Sequence, residues 1–72
     1  MRSLKDEQGS AWDVTVGRES WGTFVLLFSR ATGGDVRRSV MASENMLEAQ
    51  QELDSLAADE LRKRLAAAEP WA

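Results

Sequence analysis

Trp21-Gly-Thr-Phe-Val-Leu-Leu-Phe-Ser-Arg30 contains the longest apolar run of this 72-residue chain, Phe24 to Phe28. The run is rich in aromatic and β-branched residues and has turn-like sequence on both sides. Such a stretch reads as a strand that is apolar on both faces. A strand of that kind needs cover above and below, and a chain this short has little material to supply both layers.

Working outward, Trp12-Asp-Val-Thr-Val16 alternates apolar and polar residues, as a half-buried strand does. Gly17-Arg-Glu-Ser20 then reads as a four-residue hairpin loop. A two-residue loop would ask Arg18 and Glu19 for positive φ. On the other side, Gly33-Gly34 is a two-residue turn signal, because glycine tolerates positive φ. Val36 to Met41 forms a third strand. The expected strands cover about 11–17, 21–30 and 36–41. Residues 1–10 are polar apart from Met1 and Leu4 and end at Gly9-Ser10, so they read as a flexible tail ahead of one domain spanning 11–72.

From Ser43 the apolar period changes to that of a helix. Ser43 is a plausible N-cap, with Glu44 in the first turn where the helix dipole favours it. Met46, Leu47 and Leu53, then Leu61, Leu65 and Ala68, mark helices over about 43–54 and 57–69. Leu53-Asp-Ser55 separates them, and Pro70 ends the second. A single helix of about 26 residues would be about 39 Å long, too long for a small sheet. The fold class is therefore α+β: a three-stranded antiparallel meander followed by two C-terminal helices packed on one face.

Register converts this outline into a functional expectation. With loops at Gly17–Ser20 and Gly33-Gly34, one face collects Trp12, Val14, Val16, Trp21, Val25, Leu27, Val36 and Val40. The helices are expected to cover that face. The other face presents Phe24, Leu26, Phe28 and Met41 with Arg30 and Arg37 at the margin, among Asp13, Thr15 and Ser39. An apolar row with an arginine-containing rim is the layout of a protein interface. Burying three such side chains is worth on the order of 6 kcal/mol, comparable with the whole stability of a small domain. Phe24, Leu26, Phe28, Arg30, Arg37 and Met41 are the expected partner-binding residues. A slip of one residue in the first strand would exchange the faces of that strand.

Composition narrows the chemistry. The chain has no cysteine, histidine or tyrosine, so disulfides, thiolate or imidazole metal ligands and histidine acid–base chemistry are excluded. Asp13, Glu19 and Asp35 are not paired at a spacing that suggests acid–base work or a calcium loop. No catalytic residue, cofactor, metal site or small-molecule substrate is expected. A domain near this size buries only about 60% of its unfolded surface, and association is a common remedy. The expectation is a small non-catalytic protein–protein interaction module, a homodimer or an accessory subunit.

The rival is a nucleic-acid-binding regulator using Arg18, Arg30, Arg37 and Arg38 with Trp12 and Trp21. A net charge of −3 weighs against it. No segment approaches the roughly 18 consecutive apolar residues of a membrane span, and the N-terminal residues lack a signal-peptide core. The expected setting is cytoplasmic.

Overall fold

The computed structural model describes residues 1–19 and 22–71. Five strands and two helices follow one another as β1 (Arg2–Lys5), β2 (Ala11–Arg18), β3 (Phe24–Arg30), β4 (Val36–Val40), α1 (Met46–Ser55), α2 (Ala58–Ala67) and β5 (Glu69–Pro70). The strands make one antiparallel sheet in the order β1-β2-β3-β4-β5. The α+β class and the two C-terminal helices match the sequence reading. The meander has five strands in place of three.

Residues 1–10 are not a loose tail. Arg2–Lys5 pairs with β2, setting Leu4 opposite Trp12 and Arg2 opposite Val14. Leu4, with Met1 one of two apolar residues in this stretch, is 5% exposed. One large residue suffices because it lands on an aromatic ring and beneath α2. The Arg2 guanidinium, on the same face, donates to the carbonyls of Leu53 and Leu56. Those groups lie at the C-terminal end of α1, where carbonyls lack intrahelical partners and cations are favoured.

Two hairpins use the same turn. In Asp6-Glu-Gln-Gly-Ser10 the Asp6 and Ser10 backbones close the loop, and Gly9 N–H donates to the Asp6 carbonyl at 3.1 Å. Glu19 and Thr23 close the second loop, and Gly22 N–H donates to the Glu19 carbonyl at 3.0 Å. Gly9 and Gly22 have φ of +84° and +81°. In each, the residue just before the closing position is left-handed, which glycine adopts without steric cost.

The second turn corrects the expected register. Strand β2 runs on to Arg18, so the loop does not begin at Gly17, and Val14 faces Phe28 while Val16 faces Leu26. Relative to the expected pairing β2 has slipped by five residues. An odd slip moves every side chain of β2 to the opposite face. Trp12, Val14 and Val16 therefore share a face with Phe24, Leu26 and Phe28. Gly17 is a strand residue: a Cβ there would lie 2.5 Å from Leu27 Cδ1 and 2.9 Å from Leu27 Cγ. The missing side chain lets Leu27 lie across β2. Trp21, expected on the same face as Val25, lies outside the described residues.

Arg30 and Asp35 close the β3–β4 loop, with Gly33 N–H on the Arg30 carbonyl at 2.8 Å. The two-residue turn at Gly33-Gly34 is thus a four-residue loop. The resulting shift is two residues, with Phe28 opposite Arg37 and Leu26 opposite Ser39. An even shift keeps faces, so the division between the Phe24 row and the Val25 row stands.

Both helices lie on the Phe24 side. Phe24, Leu26, Phe28 and Met41 join Leu4, Trp12, Val14, Ala49, Leu53, Leu61 and Leu65 in one core. The helices thus cover the row expected to meet a partner, and the Val25–Val36–Val40 side carries no helix. The physical reason is bulk: once Trp12 joins Phe24 and Phe28, this face has far more apolar area to remove from water.

A ten-residue helix is about 15 Å long and four adjacent strands span about 14 Å. Each helix therefore fits across the sheet, and α2 touches both β1 and β4. The N-cap of α1 is Asn45, not Ser43: its side chain accepts from Glu48 N–H at 2.9 Å. Leu56 and Ala57 are extended and separate the helices. Arg64 and Glu52, 3.2 Å apart, tie α2 back to α1. After Ala68 the chain adds Glu69–Pro70 as a two-residue edge to β4.

Candidate functional site

The six residues expected to bind a partner separate into two groups. Phe24, Leu26, Phe28 and Met41 are at most 4% exposed and belong to the chain's own core. They are unavailable to a second protein while the domain is folded. Arg30 and Arg37, half-buried at the end of that face, meet around Trp12.

That cluster is built from three adjacent strands. Trp12 sits in β2, Arg30 ends β3 and Arg37 lies in β4, all directed to the helix side by the register. The Arg30 and Arg37 guanidinium carbons stand 4.6 and 5.2 Å from the Trp12 ring centroid, within cation–π range. Asp35 Oδ2 lies 3.2 Å from Arg37 and 3.7 Å from Arg30. Arg30 also donates to Ser10 Oγ at 3.0 Å. Two guanidinium groups share one indole because this carboxylate offsets their repulsion.

Asp6 supplies the other side. Its Oδ1 accepts the amides of Gln8 and Ser10, and its Oδ2 accepts Trp12 Nε1–H, each at 2.9 Å. The indole hydrogen bond outweighs the opposing effect of burial and, with the amides of Ser10 and Gln8 and the charge of Arg30, holds the Asp6 carboxyl below its ordinary 3.8. A carboxylate with a depressed pKa contributes stability above its ordinary pKa and loses it as pH falls through the depressed value. Acid unfolding of the Asp6→Asn variant should therefore show a shallower loss below pH 3.8. An unchanged acid limb in circular dichroism would show that Asp6 is not coupled to folding.

The Asp6–Ser10 turn, the Trp12 cluster and α2 enclose a cleft of about 290 Å³. Arg62, Leu65 and Ala66 line its helical wall. Arg62 Nε–H donates to the Lys5 carbonyl at 2.8 Å, and its NH1 lies 2.9 Å from Asp59. Nothing in the sequence singled out Arg62 or Asp6 for this place. The repeated acid-x-x-Gly-Ser/Thr spacing at Asp6 and Glu19 was the available signal for the turns that bring them there.

Among the described residues no helix covers the sheet's other face, although Val25 there is fully buried and Leu27 and Val36 are half-buried. The register places Val25 and Leu27 of β3 and Val36 and Val40 of β4 there, with Asp13 and Thr15 alongside. Val40 is 63% exposed. Trp71, 43% exposed, donates its backbone N–H to the Val36 carbonyl at 2.9 Å. Arg38, on this face, pairs with Glu19 and, at 3.2 Å, with Glu69.

The four arginines considered for nucleic acid do not form one surface. Arg30 and Arg37 are on the helix side, Arg38 is on the open side between two glutamates, and Arg18 lies 5.5 Å from the Phe24 ring. Among the described residues no group of three or more acidic side chains could hold a metal ion, and no helix is long and apolar enough to cross a membrane. No family model, curated protein or solved structure matches this chain.

Proposed function

We propose that the chain is a small non-catalytic protein–protein interaction module that works through the open face of its sheet, pairing with a second copy of itself. The observation that carries the reading is the apolar strip Leu27, Val36 and Val40 on a face bare of helices, with Val40 63% exposed. A two-fold contact needs a patch complementary to itself. This one has an apolar centre and both charge signs at its border, Arg38 and Lys5 against Asp13 and Glu69. Antiparallel sheets pack face to face through such surfaces about 10 Å apart.

Light scattering on the eluting protein should give a mass that rises toward twice the monomer as concentration increases. Val40→Glu should keep the protein monomeric at every concentration, because it places two carboxylates in the contact. At an exposed position the substitution should change stability by no more than about 0.5 kcal/mol. A wild-type protein that stays monomeric, or a Val40→Glu variant that still pairs, overturns the reading.

A further inference from the structure

The cleft beside α2 has donors without acceptors. Asp6, its best-placed carboxylate, is fully engaged by two amides and the Trp12 indole. Arg37 spends NH2 on Asp35, and among the described residues its Nε and NH1 have no acceptor. Arg62 spends Nε on Lys5 and NH1 on Asp59, which leaves NH2. Exposed Ala66 and the small accessible edge of Leu65, 4% exposed, add an apolar wall to the same cleft.

The geometry points to a binding site for a carboxylate carried on a small apolar body, its head group on Arg37 and Arg62 and its body against Leu65 and Ala66. A guanidinium is a planar fork that matches a carboxylate through two parallel hydrogen bonds. Arg37 is held ready for this by the Trp12 ring on one side and Asp35 at one nitrogen. The volume, about 290 Å³, is at the small end for ligand sites and suits a head group with a short body. A monoanion fits better than a phosphate dianion, because Asp6 and Glu7 line the cleft and Asp35 adjoins it. Each would repel a second negative charge. The site is on the helix side of the sheet, so it stands or falls separately from pairing through the open face.

The full chain can be titrated with phenylacetate, phenylacetamide and inorganic phosphate while its amide and indole NMR signals are followed. Phenylacetate should shift the Trp12 Nε1–H signal saturably in the millimolar range. Phenylacetamide should not, and phosphate should bind more weakly. Arg37→Lys keeps the charge and loses the fork, so phenylacetate should bind roughly tenfold more weakly. Glu7→Gln should tighten binding by removing a repulsion. If Arg37→Lys disturbs the fold, visible as lost signal dispersion, Arg62→Lys gives the same comparison from exposed α2. The proposal fails if no signal saturates, if the amide or phosphate binds as well, or if the lysine variant that remains folded binds phenylacetate unchanged.

Discussion

Phe28→Glu should leave this chain unfolded. Phe28 is fully buried between Val14 and Arg37 in the sheet and belongs to the same core as the helix leucines. Removing the ring alone costs about 3–5 kcal/mol. A carboxylate in its place must either stay charged in an apolar interior or take up a proton, at a further cost of a few kcal/mol. Small domains have about 5–15 kcal/mol in total, and this one lies toward the lower end by size. Far-UV circular dichroism and amide dispersion should show a disordered chain at neutral pH. A folded Phe28→Glu protein that merely lost a partner would mean that the ring faces outward, as a loop at Gly17–Ser20 would have it. Val40→Glu is the matching control, since it adds the same charge to the neighbouring strand on the opposite face.

Leu4→Ala should lower the unfolding free energy by about 2–5 kcal/mol, the range for a buried leucine reduced to alanine. The side chain is 5% exposed, against Trp12 and in the core shared with Leu61 and Leu65. Its loss also loosens the strand that holds Arg2 on the end of α1. Urea unfolding should give a lower midpoint with an unchanged slope, the sign of lost stability without a change in exposed area. A shift below about 0.5 kcal/mol, ordinary for a surface position, would show that residues 2–5 do not dock.

These two residues mark where local reading failed. Leu4 reads as part of a flexible tail because a lone leucine among charges has no period to detect. Its burial depends on Trp12, eight positions on, and on Leu61 and Leu65, more than fifty positions away. Phe28 was seen as apolar, and its neighbours Phe24 and Leu26 were correctly grouped with it. What was missed was which side β2 would join. That turned on whether the chain left β2 at Gly17 or ran on to the left-handed Gly22. Gly22 repeats the spacing of Gly9 from an acid three residues earlier, and both close through the same pair of backbone bonds. The repeat could have been read, but two turns that differ at every other position do not announce themselves. The Arg30–Trp12–Arg37 cluster followed the same error: with β2 inverted, Trp12 was assigned to the face opposite the two arginines.

The sequence by itself determined the α+β class, the presence of two C-terminal helices, and the division of β3 into a Phe24–Leu26–Phe28 side and a Val25–Leu27 side. Those features rest on interactions between residues at most four apart, or on the strict alternation of a strand. Only the tertiary structure decided which side the helices would cover, that Arg2–Lys5 and Glu69–Pro70 would complete the sheet, and that a guanidinium-lined cleft would form beside α2. These depend on register, where one odd step inverts a whole strand, and register is chosen by the total apolar area the assembled layers remove from water.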